Sequence, residues 1–131
     1  MRLRGKAISG LGLGRIFVNK HVYYIVLTEI LGEEPYPGTL NVETGFSVEE
    51  IEARCSPQYI KSVISGSDIF GGFKYWLGRI STDAADSIDV LVLRPNLSRH
   101  SSNVLEVVSS KYLRGALGLE DGDYVYVDLR C

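Results

Sequence analysis

Apolar and polar residues alternate along much of the chain in short runs, a pattern typical of β-strands that bury one face. Strands are predicted over residues 3–9, 15–18, 39–42, 59–64, 73–81, 88–93, 103–108 and 124–129. No repeat, low-complexity stretch or linker interrupts the pattern, so residues 1–131 are expected to form a single domain. Many short strands with few helices favour a mainly β fold, a small closed or nearly closed β-barrel with short helical insertions.

The longest predicted helix begins near residue 22. Its apolar residues have the i, i+3, i+4, i+8 spacing of one buried helical face: Val22, Ile25, Val26 and Ile30. Gly32 is placed to end this helix, because glycine adopts the left-handed conformation common just after a helix.

Two shorter helices are predicted from their capping residues. Ser47 followed by Glu50 has the spacing of a capping box, which begins a helix that runs to about residue 54. Ser109 or Ser110 is predicted to cap a third helix over residues 112–117, with Gly118 just past its end.

The charge balance bounds the partners of the protein. With 14 basic and 16 acidic residues the formal net charge is −2, a field too weak to favour nucleic acid or an anionic membrane. The longest apolar run, residues 22–27, is far shorter than a membrane span. We therefore expect a soluble monomer without a nucleic-acid or membrane partner.

The two cysteines, Cys55 and Cys131, are far apart, and the second is the last residue of the sequence. They do not form a CxxC pair, so the sequence predicts neither a metal site nor a disulfide framework. This usage fits a reducing cytoplasm.

A glycine-rich segment lies between the first two predicted strands. Gly10-Leu11-Gly12-Leu13-Gly14 spells GxGxG, followed at once by Arg15. Backbone N–H groups of such a loop can converge on phosphate oxygens, and the guanidinium adds positive charge. The alternative is a flexible hairpin loop with a solvated arginine. The segment is neither a GxGxxG dinucleotide motif nor a Walker loop.

Thr39 and Asn41 follow a Pro-Tyr-Pro-Gly turn and lie two apart in a predicted strand. Their side chains therefore leave the same face, while Leu40 points to the other, into the barrel. A hydroxyl and an amide oxygen side by side suit Mg²⁺, whose remaining ligands are usually waters and substrate phosphates. The alternative is an ordinary side-chain hydrogen bond after the turn.

Glu106 alternates with Val104 and Val108 and so shares a strand face with two apolar residues. If that face lines the barrel, burial raises the pKa of the Glu106 carboxyl, which suits a base or an acceptor for a substrate hydroxyl. If the face points outward, Glu106 is a solvated edge charge.

Two further polar segments contain residues that could bind a ligand. His100 lies in polar loop sequence without a second histidine or cysteine at ligand spacing, and is interpreted as a structural loop residue. Lys111 and Arg114 lie at the start of the third predicted helix, where they can meet an anion or form a solvated face.

These segments occur in a particular order: SGLGLGR at 9–15, LGEEPYPGTLNV at 31–42, SRHSS at 98–102, LEV at 105–107, YLR at 112–114 and DGD at 121–123. The series resembles the archaeal CTP-dependent riboflavin kinase family over nearly the whole chain, and PYPGTLN is its most specific element. The resemblance implies a six-stranded cradle-loop β-barrel. It also implies a flavin enzyme that uses Mg²⁺ to transfer the γ-phosphate of CTP to the ribityl 5′-hydroxyl of riboflavin, giving FMN and CDP.

The resemblance also implies roles for individual residues. Contact with the nucleotide phosphates is implied for Gly10, Leu11, Gly12, Leu13, Gly14 and Arg15. Part of the cytidine site is implied for Lys111, Tyr112, Leu113 and Arg114. Thr39 and Asn41 would ligate Mg²⁺, and Ser98 and Glu106 would contact the flavin substrate or its new phosphate. The chain departs from the family pattern at Leu13, Ser98 and residues 109–110.

Two other functions remain open at this point. Small barrels also serve as non-catalytic regulators that bind a small ligand or DNA, although a DNA binder needs a basic stripe that this sequence lacks. A kinase of the same fold could also act on another small alcohol.

Overall fold

The computed structural model describes residues 1–10, 18 and 20–131. Within these ranges the strands are β1 Arg2–Ile8, β2 Leu40–Thr44, β3 Gln58–Ile60, β4 Val63–Ser65, β5 Asp68–Phe70, β6 Phe73–Thr82, β7 Ala85–Pro95, β8 Val104–Val108 and β9 Tyr124–Leu129. The helices are α1 His21–Leu31, α2 Val48–Arg54 and α3 Leu113–Leu117. No helix in this part of the chain is long and apolar enough to cross a membrane.

Six of the strands close into an antiparallel ring in the order β6-β7-β8-β2-β1-β9, with β9 pairing back onto β6. Closure is possible because the long strand β6 has two partners on one edge. Its first residues pair with the short strand β3, and residues 78–81 pair with β9. The predicted mainly β fold, a small six-stranded barrel with short helical insertions, is confirmed.

The inside of the ring is filled by alternate apolar residues from all six strands. They include Leu3, Val42, Trp76, Val92, Leu105 and Val127. Helix α2 and helix α3 add Ile51, Leu113 and Leu117 to this core. The inward position predicted for Leu40 is confirmed, and the same alternation holds along the other strands.

A second apolar layer lies on the outer face of β6, β7 and β8. Helix α1 packs there through Tyr23 and Leu27, against residues such as Phe73 and Leu93. The predicted stripe on this helix is partly wrong, because Ile25 is 49% exposed. Instead, the helix contacts the sheet mainly through residues 23 and 27, and Val22, Val26 and Ile30 pack at the edges of this contact.

The helix ends follow the predicted chemistry in most cases. Gly32 ends α1 in the left-handed conformation with φ 78°, and Gly118 ends α3 with φ 64°. The capping box of Ser47 and Glu50 is present at α2. The predicted serine cap of α3 is wrong, because Ser109 Oγ accepts a hydrogen bond from Lys111 N outside the helix.

Residues 59–64, predicted as one strand, contribute to two. The chain leaves β3 after Ile60 and forms a separate β4–β5 hairpin before it enters β6. Gly72 is required at the exit of this hairpin, because a Cβ there would overlap the Lys61 carbonyl oxygen. The predicted strand 15–18 lies outside the described residues except for Val18, which is buried and helical.

Cys55 and Cys131 form a disulfide, so the prediction of no disulfide is wrong. Cys55 follows α2 and Cys131 follows β9, and the fold brings their Cα atoms to 4.9 Å despite a sequence separation of 76. No local motif signals such a pair, because the two cysteines meet only when the ring closes. The cysteine pattern therefore no longer supports a reducing compartment.

Candidate active site

One row of residues crosses the outer face of four neighbouring strands. Leu93 on β7 faces Glu106 on β8, Glu106 faces Asn41 on β2, and Asn41 faces Ile8 on β1. The register thus places an amide and a carboxylate side by side near the start of β2. Leu40 and Val107, the intervening residues, point into the barrel core.

Thr39, Asn41 and Glu106 form a compact polar cluster on this row. The Thr39 hydroxyl donates a hydrogen bond of 3.2 Å to Glu106 Oε1. The Asn41 side chain is 8% exposed, and its Oδ1 is buried without a hydrogen-bond partner among the described residues. Because a buried amide oxygen is costly to leave unpaired, this atom is a ready ligand for a cation.

The two alternatives drawn for Glu106 are each confirmed in part, the raised pKa of the first and the outward face of the second. Glu106 lies on the outer face of the ring, away from Leu105 and Val107, yet only 4% of it is exposed. Burial raises the pKa of the Glu106 carboxyl, while the Thr39 hydrogen bond and then the Arg94 charge oppose that rise. The carboxylate is desolvated because the outer face is enclosed at this point.

A polar cleft of about 780 Å³ opens beside Thr39 and Asn41. It is also lined by Ser9, Gly10, Arg114 and Asp121. A Cβ on Gly10 would overlap the Asn41 amide, so glycine is needed where the chain passes over this residue.

Asp121 ties two sides of the polar cleft together. Its carboxylate accepts a hydrogen bond from Ser9 Oγ and forms an ion pair of 2.7 Å with Arg114 Nη2. These two contacts, Ser9 first, lower the pKa of the Asp121 carboxyl. Arg114 also donates to the Ile8 carbonyl at 3.0 Å, which fixes the guanidinium against β1.

A small pocket of about 80 Å³ adjoins the polar cleft. Its lining includes the four residues for which the resemblance implies part of the cytidine site: Lys111, Tyr112, Leu113 and Arg114. The ring centroids of Tyr36 and Tyr112 are 5.0 Å apart, the two ring planes are inclined by 30°, and both residues are partly exposed. Such a pair offers a flat surface for a planar group.

An aromatic pocket of about 370 Å³ lies on the other side of Glu106. It is enclosed by α1, the β4–β5 hairpin and the loop after β7, through residues that include Tyr23, Phe70, Leu97, Ser98 and His100. Tyr23 donates to the Gly71 carbonyl at 2.6 Å and meets the Phe70 ring edge-on, which joins helix to hairpin. Burial, and then the Arg94 charge, lower the pKa of His100, so its imidazole is neutral near pH 7.

The structure brings most of the candidate residues to one place. Gly10, Thr39, Asn41 and Arg114 line the polar cleft, while Ser98 and Glu106 line the aromatic pocket. Leu11, Gly12, Leu13, Gly14 and Arg15 lie outside the described residues, so their predicted phosphate contacts remain predictions. His100, interpreted as a loop residue, does lie in a loop and also faces the aromatic pocket.

Sequence reasoning missed several residues of this site. Tyr23 and Phe70 were hidden because aromatic residues in a helix or a short strand are usually core. Asp121 belongs to the Asp-Gly-Asp segment of the motif series, but the resemblance implies no role for it. The β4–β5 hairpin carried no recognisable motif.

The chain matches the model of the CTP-dependent riboflavin kinase family, described as the domain of unknown function DUF120, over residues 7–129. It is 32% identical to a riboflavin kinase of Staphylothermus marinus, over 97% of this chain and 90% of that one. It is 31% identical to a riboflavin kinase of Methanobrevibacter smithii, over 98% of this chain and 99% of that one. It spans only 60% of a Pyrobaculum arsenaticum riboflavin kinase that is 31% identical. The chain therefore belongs to the CTP-dependent riboflavin kinase family.

Proposed function

We propose that this protein is a riboflavin kinase that transfers the γ-phosphate of CTP to the ribityl 5′-hydroxyl of riboflavin, giving FMN and CDP. The observation that carries the proposal is the contact between two unlike pockets. The polar cleft and the aromatic pocket meet where the Thr39 hydroxyl touches Glu106. A phosphoryl group and an acceptor hydroxyl bound in the two pockets would meet at that point.

The aromatic pocket suits the flat, largely apolar ring system of riboflavin. Ile69 and Leu97, at its mouth, are 73% and 81% exposed, and large apolar side chains exposed at a pocket are typical of a ligand-binding surface. Tyr23 and Phe70 supply aromatic contacts deeper in. The ribityl chain would then run toward Glu106.

The polar cleft suits the triphosphate of the donor. Arg114 offers a fixed guanidinium there, although Asp121 shares its charge. The residues present also fit Mg²⁺, since Thr39 Oγ1 and Asn41 Oδ1, which has no hydrogen-bond partner within the described residues, are two neutral oxygens at the cleft wall. When bound there, Mg²⁺ would neutralise part of the phosphate charge during transfer.

The side chains have a limited chemical task in this reaction. Phosphoryl transfer depends mainly on holding the acceptor oxygen in line with the phosphorus and on offsetting charge. The bond from the γ-phosphorus to the bridging oxygen of CTP breaks as the bond to the ribityl oxygen forms. Glu106, desolvated and held by Thr39, orients the ribityl hydroxyl and accepts its proton as the new bond forms.

Discrimination between donors must arise where the base lies, because all nucleoside triphosphates present the same phosphates. The small pocket beside Tyr36 and Tyr112 is the candidate base site. The pocket is small, about 80 Å³, and its tyrosine rings offer a base a surface to stack on, so a pyrimidine would need less rearrangement to enter than a purine. CTP should therefore be used in preference to ATP.

We place the enzyme in the cytoplasm, where nucleoside triphosphates are available. The Cys55–Cys131 disulfide is uncommon in that compartment, where thiols are usually kept reduced, so the placement rests on the substrates.

Riboflavin titration with flavin fluorescence tests acceptor binding directly. A parallel assay of FMN formation with CTP, UTP, ATP and GTP at equal Mg²⁺ then tests the reaction and the donor. We expect fluorescence quenching on binding and the fastest FMN formation with CTP. Equal or faster turnover with ATP would overturn the assignment of CTP as the donor. Absence of riboflavin binding would overturn the assignment of riboflavin as the acceptor and favour a regulator or a kinase for another alcohol.

A further inference from the structure

We infer that Arg94 is a positioning residue for the acceptor substrate, which it serves by clamping the loop that carries Ser98 and His100. This loop, residues 96–103 between β7 and β8, is called the acceptor loop below. The inference rests on the proposed function, because it assigns the aromatic pocket to riboflavin. Arg94 itself does not line that pocket.

The guanidinium of Arg94 makes three hydrogen bonds to backbone carbonyls. Nη2 donates to the His100 carbonyl at 2.9 Å, and Nη1 donates to the Ser101 carbonyl at 2.8 Å. Nη1 also donates to the Val104 carbonyl at 2.9 Å, at the first residue of β8. One side chain from the end of β7 therefore holds both the loop and the start of the next strand.

The acceptor loop is tied to the barrel at its far end, where the Ser102 and Asn103 carbonyls accept the N–H groups of Val48 and Thr44 at 2.7 and 2.8 Å. The Asn103 amide also donates to the Thr44 carbonyl at 3.2 Å.

The part that faces the pocket, residues 97–100, is held less. Its Ser98 N–H bonds to the Pro95 carbonyl at 3.1 Å, and its His100 N–H bonds to Ser98 Oγ at 3.2 Å, both within the same turn. Leu97, at its tip, is almost fully exposed. Asn96, whose N–H bonds to the Gly72 carbonyl at 3.0 Å, connects the loop to the hairpin side. Without Arg94, residues 97–100 would be held to the rest of the described chain through the anchors on either side, at Asn96 and at residues 102–103.

This clamp fixes the groups that face the aromatic pocket. Ser98 Oγ already accepts the His100 N–H, so its hydroxyl proton stays free to donate to a ligand oxygen or nitrogen. His100 is held through its own carbonyl, which sets where its neutral imidazole lies. Arg94 thus acts on the acceptor through these two residues.

Arginine is specifically suited to this task. Its planar guanidinium carries five N–H donors in a fixed fork and can serve three carbonyls at once. A lysine ammonium keeps the charge but is a point donor that cannot match this geometry. Arg94→Lys should therefore restore only part of what Arg94→Met loses.

The test compares Arg94→Met and Arg94→Lys with Arg79→Met as a matched control. Arg79 is an exposed arginine whose bond is to the Asp89 carboxylate, away from the acceptor loop. Steady-state kinetics would give KM for riboflavin and for CTP. Trypsin cleavage after the exposed Arg99, followed by mass spectrometry without substrates, would report on the loop itself.

In Arg94→Met we expect KM for riboflavin to rise about tenfold, KM for CTP to change less than about twofold, and cleavage after Arg99 to accelerate. Arg94→Lys should give intermediate values and Arg79→Met wild-type values. A merely structural role would raise both KM values together and expose other cleavage sites equally, and that result would overturn the inference.

The inference would also be overturned if Arg94→Met left both the KM for riboflavin and the rate of cleavage after Arg99 unchanged. If Arg94→Met does not fold, Arg94→Lys carries the same comparison with the charge kept. If the wild type formed no FMN, the proposed function would fail, whereas the cleavage rates would still decide whether Arg94 holds the loop.

Discussion

Thr39 and Asn41 lie on one strand face, as alternation predicts, yet the fold gives their oxygens different surroundings. The Thr39 hydroxyl bonds to Glu106, whereas Asn41 Oδ1 has no partner within the described chain. The spacing of two could be recognised in the sequence. That Asn41 Oδ1 lacks a partner among the described residues could not be recognised, because this depends on which residues the fold brings beside it.

Thr39→Ala and Asn41→Ala are each expected to leave the barrel folded and to reduce turnover at least tenfold, because each removes a candidate Mg²⁺ ligand and not core volume. The Mg²⁺ concentration for half-maximal activity should also rise. Thr82→Ala is the matched control, since its hydroxyl only accepts the Ala84 N–H at the far end of β6. Normal turnover of the double variant at limiting Mg²⁺ would contradict the metal assignment.

Glu106→Gln should lower turnover by roughly tenfold or more, because the amide cannot take the proton of the acceptor hydroxyl. The shape of the side chain is kept, so the circular dichroism spectrum should not change. Glu43→Gln, an exposed carboxylate on the adjacent strand β2, is the control and should behave as wild type. Unchanged turnover together with unchanged riboflavin affinity would show that Glu106 has no part in the reaction.

At the scale of elements, strand β6 and its glycine decide whether the ring closes. Gly78 faces Leu129 in the register of β6 with β9. A Cβ at Gly78 would lie 2.5 Å from the Asp128 carbonyl oxygen, which is backbone and cannot rotate away. Strand periodicity located β6 correctly, but a sequence does not reveal which of its residues a third strand will approach.

Gly78→Ala is therefore expected to destabilise the protein by about 1–3 kcal/mol, because β6 and β9 must move apart. Gly45→Ala is the control, since a Cβ there meets nothing within 4 Å. Denaturant unfolding of both variants would measure the difference. Equal midpoints for the two would mean that the β6–β9 contact tolerates a side chain.

At the scale of the whole molecule, both chain ends are fastened to the barrel. The Met1 ammonium group donates to the Leu129 carbonyl at 2.9 Å, and Cys131 is joined to Cys55. The disulfide lies away from the polar cleft and the aromatic pocket, beside Gln58, Tyr75 and Trp76. It should matter for stability and not for catalysis.

Cys131→Ser is expected to lower the free energy of unfolding by about 4 kcal/mol, because the unfolded chain loses the constraint of a long closed loop. Its turnover at 25 °C should equal that of the wild type. Reductant should lower the unfolding midpoint of the wild type to that of the variant and leave the variant unchanged. A wild-type midpoint that does not respond to reductant would refute the disulfide.

Features that depend on local periodicity and local capping could be predicted from the amino-acid sequence. Strand alternation, the capping box at Ser47 and Glu50, the helix-ending Gly32 and the shared face of Thr39 and Asn41 all follow from residues a few positions apart. The order of its motifs also sufficed to identify the family.

Tertiary structure alone decided what depends on residues distant in sequence. Alternation placed Glu106 on one of two strand faces, but its burial arises because α1, the β4–β5 hairpin and the acceptor loop enclose the outer face there. The Cys55–Cys131 bond likewise forms only because the pairing of β9 with β6 brings the end of β9 next to Cys55. Desolvation and proximity are properties of the assembled ring, so no local pattern could specify them.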